Sequence, residues 1–232
     1  MDGNGRWAEN KGLSRSEGHR AGVEVVKHII RASMEHTIPV ISLWAFGRDN
    51  WARPQPEVDY LMQLLSSALE MELDALHKNE VRLLFTGDRT ELSDALQQAI
   101  GSAERYTQQN TRLTVNVVFN YSGKWDIVQG AKKLIQDVVA GTVVFEDIDE
   151  SLFARYLNAH DLPDPDLFIR TSGEQRISDF FLWQLAYTEL YFSEVCWPDF
   201  TLEEFSRALQ CFAERERRYG KTSQQLNESY YA

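Results

Sequence analysis

The sequence of 232 residues is long enough for one large α/β domain or two small ones with a sizeable core. Its hydrophobic content of 43% and charged content of 25% are ordinary for a globular protein. The formal net charge is −11, because 24 basic residues stand against 35 acidic ones. That balance argues against nucleic acid as a partner, since a phosphate backbone requires a broad basic face. A small anionic ligand remains compatible if the arginines are concentrated locally.

The two cysteines, Cys196 and Cys211, have neither the number of a disulfide framework nor the spacing of a metal site. No apolar run reaches the roughly 18 residues that a membrane span requires. No basic-then-apolar leader opens the sequence. We therefore predict free thiols and a cytoplasmic location.

The opening segment, MDGNGRW at 1–7, combines an acidic residue, two glycines around an asparagine, an arginine and an aromatic ring. Glycines let several backbone N–H groups converge on one anion. Asp2 could hold a hard cation such as Mg²⁺, and Arg6 could bind a phosphate oxygen. The segment alone is equally compatible with a plain Gly-Asn turn, since short glycine motifs mislead often.

The first half of the chain predicts helices and strands in alternation. We expect a helix of about four turns following GHRAG at 18–22, a buried strand at 38–44, a polar loop at 45–56, an amphipathic helix at 57–79, a strand at 81–86, a helix at 91–108 and a strand at 113–119. The loop at 45–56 is dense in polar and aromatic groups, which suits ligand binding as well as a solvated surface.

The second half continues the pattern. We expect a loop at 120–126 followed by a helix to about residue 139, a short helix near 153–157, a strand at 166–170, a polar loop at 171–178, a strand at 187–192 and a final helix from a capping box at Thr201 and Glu204 to about residue 218. The tail from 221 is polar.

Strands separated by helices indicate an α/β fold with a mostly parallel sheet covered on both faces. Ligands bind such sheets at the carboxyl ends of the strands. We count five strands and find no internal repeat or linker. A glycine loop of the opening kind normally follows a strand, yet here it opens the sequence.

Arginines collect in two places late in the chain. Arg170 and Arg176 flank a Thr-Ser-Gly loop, with Glu174 and Ser178 beside them. A second group, RERR at 215–218, ends the last predicted helix. Guanidinium forks suit contacts to diphosphate oxygens. The second group is also compatible with a solvated helix end that favours the helix dipole.

Taken together, these segments resemble the cis-prenyltransferase family. The matching segments are MDGNGRWA at 1–8, GHRAG at 18–22, NWARP at 50–54, NYSGKWDIVQ at 120–129, DLFIRTSGEQRIS at 166–178, WQLAYTELYF at 183–192, WPDF at 197–200 and RERRYG at 215–220. They cover the chain from the first residue to about Gly220, in order.

The resemblance implies one catalytic domain at 1–220 with a polar tail at 221–232. It implies a six-stranded parallel sheet flanked by helices, an apolar tunnel and a homodimer. The implied reaction is Mg²⁺-dependent condensation of farnesyl diphosphate with successive isopentenyl diphosphates, each new double bond cis, to give a long-chain, undecaprenyl-type diphosphate used as a lipid carrier in cell-wall synthesis. It also allows a peripheral membrane contact for product release.

The resemblance also assigns roles to residues. Asp2 and Asn50 match catalytic positions, and Asp2 and Glu189 match metal-linked acidic positions. The substrate-binding matches are Gly3, Asn4, Gly5, Arg6, Trp7, Arg15, His19, Trp51, Arg53, Arg170, Arg176, Ser178 and Arg218. Of these, Arg170, Arg176 and Ser178 match the isopentenyl diphosphate site, and Arg218 looks like the group that reaches the partner subunit's active site.

The growing product is a hydrocarbon, and each buried CH₂ is worth roughly 0.8 kcal/mol. We therefore expect the broad apolar side of the 57–79 helix to form a tunnel wall, and Leu113 to lie near the tunnel floor.

The chain departs from the family pattern in three respects. The apolar strand that usually precedes the aspartate is missing from this sequence, Gly47 stands where serine is common, and Gln175 stands where some members have histidine. Three alternatives also remain: a non-catalytic family subunit, a trans-type prenyl synthase, and a phosphate-binding regulatory module. The aspartate loop argues against the first, and the lack of Asp-Asp-x-x-Asp pairs argues against the second.

Overall fold

The computed structural model describes residues 1–220, 222, 224 and 225. The helices are α1 (Asn4–Asn10), α2 (Arg15–Glu35), α3 (Gln55–Lys78), α4 (Asp94–Thr107), α5 (Gly123–Val139), α6 (Glu150–Ala154) and α7 (Leu202–Ala213). The strands are β1 (Val40–Gly47), β2 (Val81–Thr86), β3 (Leu113–Tyr121), β4 (Leu167–Arg170) and β5 (Glu189–Phe192). The predicted alternation of strands and helices is confirmed. The predicted tail at 221–232 lies outside the described residues except for 222, 224 and 225.

The strands form two parallel sheets. One has the order β1-β3-β2, with Val40 opposite Thr114 and Val81 opposite Leu113. The other pairs β4 with β5, with Leu167 opposite Glu189. The parallel α/β architecture is therefore confirmed, whereas the prediction of one six-stranded sheet is not.

The separation of the two sheets has a physical reason. β1 and β4 each pair on one side only, and a cavity of about 770 Å³ is lined by every residue of both strands. In the described part of the chain no strand occupies that space. The two sheets are therefore separate in the described part of the chain.

Local chemistry explains most helix starts. Ser14 caps α2 in a capping box with Glu17, and Ser122 caps α5 by accepting the Trp125 N–H. The residues expected as a loop at 123–126 are thus the first turn of α5. The opening glycine segment is also partly helical, because α1 begins at Asn4.

The last helix differs from its prediction at both ends. Thr201 accepts the Glu204 N–H at 3.2 Å, but the Glu204 carboxylate instead accepts from the hydroxyls of Tyr191 and Ser193. Only half of the predicted capping box therefore forms. The helix ends at Ala213, so the arginines at 215–218 follow the helix instead of lying on it.

The main core lies between the β1-β3-β2 sheet and helices α2, α3 and α4. On this side a second cavity of about 510 Å³ is lined mainly by apolar side chains, among them Ile30, Leu65, Ala68, Leu83 and Val115. Apolar residues of α3, among them Leu61, Leu65 and Leu69, line this cavity.

The placement of Leu113 near a tunnel floor stays a prediction, because Leu113 itself does not line this cavity. Its side chain is only 1% exposed and packs into the core, while Val115, two positions along the same face of β3, lines the cavity. Across the ranges described, no helix is long and apolar enough to cross a membrane.

Candidate active site

The backbone of Asp2 is held at the carboxyl end of β4. Its N–H donates to the Thr171 hydroxyl at 2.9 Å, and that hydroxyl donates to the Asp2 carbonyl at 2.8 Å. The Trp197 N–H donates to the same carbonyl at 2.9 Å. Because both backbone groups are satisfied, the direction of the Asp2 side chain is defined by the surrounding segments.

Gly3 is required by this geometry. Its φ is +96°, a region that other residues rarely adopt, and a Cβ would lie 2.7 Å from the Ser172 Cβ and 2.9 Å from the Cys196 Sγ. The glycine therefore lets the chain turn from the end of β4 directly into α1.

The Asp2 carboxylate lies between two arginines. One oxygen is 3.1 Å from a terminal nitrogen of Arg170, and the other is 3.8 Å from Arg6 and accepts the Gly3 N–H at 2.7 Å. Burial by itself would raise the pKa of Asp2, but the Arg170 hydrogen bond and the Gly3 N–H outweigh it and hold the pKa below its ordinary value. Asp2 is thus a carboxylate at neutral pH, with 39% of its side chain exposed.

Glu174 joins two further arginines to this group. Arg6 lies 2.9 Å from one Glu174 oxygen, and Arg176 pairs with the other. Arg6 also donates to the carbonyl and hydroxyl of Ser172. Arg170 donates to the Ser178 hydroxyl at 2.7 Å and to the Arg176 carbonyl. The fold therefore brings Asp2, Arg6, Arg170, Arg176 and Ser178 into one cluster.

A second cluster surrounds Glu57 in the first turn of α3. Its carboxylate accepts from Arg15 at 3.0 Å, from Arg53 at 3.0 Å, and contacts the His19 ring at 3.1 Å. Burial lowers the pKa of His19 despite the carboxylate beside it. Burial would raise the pKa of Glu57, but the hydrogen bonds from Arg15 and His19 bring it below its ordinary value.

Gly5 connects the second cluster to the opening segment. A Cβ at Gly5 would lie 2.4 Å from the Arg15 guanidinium carbon, so a larger residue here would displace that side chain from its position. Asp2, Arg6, Arg15, His19 and Arg53 all line the 770 Å³ cavity. Two groups of cationic side chains therefore face one cavity at the carboxyl ends of parallel strands, where α/β sheets bind ligands.

Comparison with known proteins decides the family. The model of the Prenyltransf family, described as "Putative undecaprenyl diphosphate synthase", matches residues 1–220. A Legionella pneumophila protein named ditrans,polycis-undecaprenyl-diphosphate synthase, farnesyl-diphosphate specific, is 55% identical over 97% of this chain and 94% of its own length. A Vibrio vulnificus protein of the same name is 48% identical over 97% of this chain and 90% of its own.

The chain belongs to the cis-prenyltransferase family.

Solved structures support the same assignment. Lavandulyl diphosphate synthase from Lavandula x intermedia, in complex with dimethylallyl diphosphate, aligns with a TM-score of 0.92 at 36% identity, covering 95% of each chain. A Campylobacter jejuni protein described as a probable undecaprenyl diphosphate synthase aligns with a TM-score of 0.77 at 34% identity, covering 87% of this chain and 93% of its own. A trans-type prenyl synthase is therefore excluded.

Asn50 and Trp51, which match cis-prenyltransferase positions, form hydrogen bonds with other residues of the chain. Asn50 accepts the Gly47 N–H at 3.0 Å in the 3₁₀ segment Arg48–Ala52. Trp51 donates from its indole to Asn120 at 2.8 Å and packs edge-on against Phe46. These contacts give the predicted loop a defined shape.

The two other matched residues of the opening segment lie in α1. Asn4 donates from its amide to the Met1 carbonyl at 3.2 Å and lines the cavity. Trp7 stacks under the Lys11 ammonium, 4.1 Å from the ring centroid.

The structure does not bring Glu189 to Asp2 within one chain. Glu189 starts β5 opposite Leu167, three positions before Arg170 in the register, which is roughly 10 Å along a strand. It pairs with Arg215 at 2.9 Å. Arg218 pairs with Glu216 and is 58% exposed. Glu189 and Asp2 therefore do not form a metal site in the single chain.

Asp2 is the carboxylate of this cluster that is able to bind Mg²⁺. No group of three or more metal-ligating side chains occurs among the residues that the structure describes. Mg²⁺ keeps several waters and commonly binds one or two carboxylates together with substrate phosphates. An ionised, partly exposed carboxylate such as Asp2 fits that mode of binding.

Sequence reasoning missed Glu57, Thr171 and the bridging role of Glu174. Glu57 is the first acidic residue after Pro54 and Pro56, so at sequence level it reads as an ordinary first-turn acid of a helix. No sequence signal identified its role, because Arg53 is far from Arg15 and His19 in the sequence and the three meet around Glu57 only in the folded chain.

Proposed function

We propose that this chain condenses isopentenyl diphosphate units onto farnesyl diphosphate, forming each new double bond cis, to give undecaprenyl diphosphate, a lipid carrier precursor for cell-wall synthesis. The observation that carries the proposal is the position of Asp2 between Arg6 and Arg170 at a cavity lined by the second cationic cluster. The names of the relatives at 48–55% identity support the same reaction.

The chemistry of the reaction explains why such clusters are useful. Heterolysis of an allylic C–O bond places growing negative charge on the departing diphosphate, and guanidinium groups stabilise that charge more than the ground state. The isopentenyl double bond must also lie close to the allylic carbon, so both diphosphates need fixed anchors. Two separate cationic clusters on one cavity supply two anchors.

Each cluster is assigned to one diphosphate. Arg170, Arg176 and Ser178 are proposed to hold isopentenyl diphosphate. The opening segment, with Gly5 and Arg6, and the neighbouring Arg15, His19 and Arg53 are proposed to hold the allylic diphosphate. Asp2 and Asn50 are proposed as catalytic, and Gly3, Asn4, Trp7 and Trp51 as further substrate-binding positions.

Asp2 is proposed as the protein ligand of Mg²⁺. When bound, the ion neutralises charge on the diphosphate leaving group. The hydrogen bond from Arg170 keeps Asp2 ionised and oriented.

The 510 Å³ cavity is proposed as part of the tunnel that receives the growing prenyl chain. It lies beside the active-site cavity and shares Asn4, His19 and Ala45 with it. Its walls on α2, α3 and the sheet are mainly apolar, which suits a hydrocarbon.

Residues 1–220 are proposed to be one catalytic domain, and these are the residues that the family model matches.

The part of the 770 Å³ cavity that runs between β1 and β4, as distinct from its part at the carboxyl ends of the strands where the cationic clusters lie, is proposed as the position of a sixth parallel strand. Both strands have unpaired edges there, and Asp2 is anchored one residue beyond β4. A strand leading into Asp2 would therefore run beside β4 in the same direction. A version of the protein with an apolar segment of about six residues before Met1 is expected to unfold at higher denaturant concentration; an unchanged midpoint would contradict this placement.

A homodimer is proposed, because α5 carries an unpaired apolar stripe. Val128, Ile135 and Val139 are spaced on one face of the helix and are 50%, 61% and 83% exposed, and Phe145 beyond its end is 71% exposed. Patches of this kind mark interaction surfaces. Ile135→Glu should halve the mass measured by light scattering, and a monomeric parent protein would refute the proposal.

Arg218 is proposed to reach the active site of the other subunit.

The cell compartment is proposed to be the cytoplasm, with peripheral membrane contact when product is released. Cys196 and Cys211 are free thiols, as a reducing compartment would keep them.

The function is tested by incubating the purified chain with farnesyl diphosphate, radiolabelled isopentenyl diphosphate and Mg²⁺, and then sizing the extracted lipids. We expect long-chain products that disappear when EDTA replaces Mg²⁺. Binding of both diphosphates without any lipid product would refute the enzyme and favour a phosphate-binding module or a non-catalytic subunit.

A further inference from the structure

The loop between β4 and β5 contains an unusual run of backbone conformations. Ser178, Asp179 and Phe181 have φ values of 48°, 67° and 42°. Residues other than glycine seldom adopt this region, and they remain there only when their surroundings hold them. The contacts of this loop therefore have to explain its shape.

On one side, the loop is held by the start of α5. Asp179 accepts the Lys124 N–H at 3.0 Å and the Ser122 hydroxyl through its carboxylate, and accepts the Gly123 N–H at 2.7 Å through its carbonyl. The first N–H groups of a helix lack partners within the helix and attract negative charge. Asp179 thus fastens the loop to the end of α5 at three points.

On the other side, the loop holds Arg170. The Ser178 hydroxyl and the Arg176 carbonyl both accept from the same terminal nitrogen of Arg170. Its other terminal nitrogen donates to Asp2 at 3.1 Å. Because the Arg170 side chain is only 12% exposed, the positions of these two acceptors determine where its free edge points.

We infer that Asp179 is a positioning residue for the diphosphate site: it fixes the loop at 176–181 so that Arg170 faces Asp2. This inference rests on the proposed function. Asp179 itself bonds to the start of α5, and it acts through Ser178 and Arg170. The competing explanation is that Asp179 only caps α5.

The test compares Asp179→Ala with Asp179→Asn and with Asp149→Ala. Asp149 is a matched control, because it caps α6 by accepting the Leu152 N–H at 2.7 Å. Asp179→Ala should lower kcat/KM for isopentenyl diphosphate by on the order of 10–100-fold, the effect expected when a charged anchor is displaced by about 1 Å. Asp179→Asn should recover most of this loss, since an amide oxygen can still accept the Lys124 N–H.

The outcomes separate the explanations. If Asp179→Ala folds and has parental kcat and KM values, the positioning role is overturned, whereas an inactive parental protein overturns the proposed function instead. If the parental protein is inactive, calorimetry can still measure how tightly each variant binds inorganic pyrophosphate at the Arg170 site. Asp179→Ala should bind pyrophosphate at least about tenfold more weakly than Asp149→Ala does. If Asp179→Ala does not fold, Ser122→Ala removes one of the three contacts and should raise KM for isopentenyl diphosphate; an unchanged KM overturns the inference.

Discussion

Glu57→Gln should destabilise the protein measurably, because one carboxylate holds Arg15, Arg53 and His19. The Arg15 and Arg53 side chains are 44% and 36% exposed. The ion pair of each with Glu57 should therefore add only the roughly 0.5–1 kcal/mol to the free energy of unfolding that is typical of partly exposed pairs. The His19 contact, with both side chains 10% exposed, adds about 1 kcal/mol. Since glutamine keeps one acceptor, we expect a loss of about 2 kcal/mol in the free energy of unfolding at pH 7.

The pH dependence of this loss has a definite sign. The pKa of folded Glu57 lies below its ordinary value of 4.5, so its stabilisation is complete above that value and disappears as the pH falls through the folded pKa. The difference between the parental protein and Glu57→Gln should therefore shrink in acid.

Urea unfolding followed by tryptophan fluorescence at pH 7 and at a pH below the ordinary pKa of glutamate measures both effects. Glu70→Gln is the control, because Glu70 lies exposed on the same helix. Equal stability of Glu57→Gln and the parental protein at pH 7 would refute the reasoning, as would a difference that does not change with pH.

Three further predictions concern turnover, substrate binding and product length. Asp2→Asn should lower kcat at least about 100-fold if the carboxylate acts on charge in the transition state. Asp199→Asn is the control, because it alters an exposed carboxylate. Near-normal turnover of the Asp2 variant would count against a catalytic role for Asp2. Arg176→Ala should weaken isopentenyl diphosphate binding by about 1.5–3 kcal/mol, seen as a KM raised roughly ten- to a hundredfold, and the assignment is wrong if neither kcat nor KM moves. Ala68→Phe places a ring in the apolar cavity and should shorten the lipid products, so products of parental length would mean that this cavity is not the tunnel.

Hydrophobic periodicity predicted most of the secondary structure. The strand at 81–86 forms over the predicted residues, and the helix expected at 57–79 runs from Gln55 to Lys78. These elements could be predicted because their apolar spacing repeats over several turns or along a short buried run. Element ends were less predictable: the last helix stops at Ala213, and beyond it Arg215 and Arg217 pair with Glu189 and Asp166 in other segments.

The cluster at Asp2 shows which part of the site the sequence could predict. Residue types and motif order pointed to Asp2, Arg6, Arg170 and Arg176. Their mutual geometry was not predictable, because Asp2 and Arg170 are separated by 168 positions and meet only when β4 and α1 are packed. The bridging by Glu174 depends on the same packing.

By itself, the amino-acid sequence determined the α/β class, the alternation of strands and helices, and the family. The first two follow from local periodicity, and the family follows from the residues and order of its motifs. Only the tertiary structure decided that the strands form two sheets, that Glu57 gathers two arginines and a histidine, and that Glu189 lies apart from Asp2. Each of these depends on contacts between distant segments, and no local pattern encodes which distant segment a residue will meet.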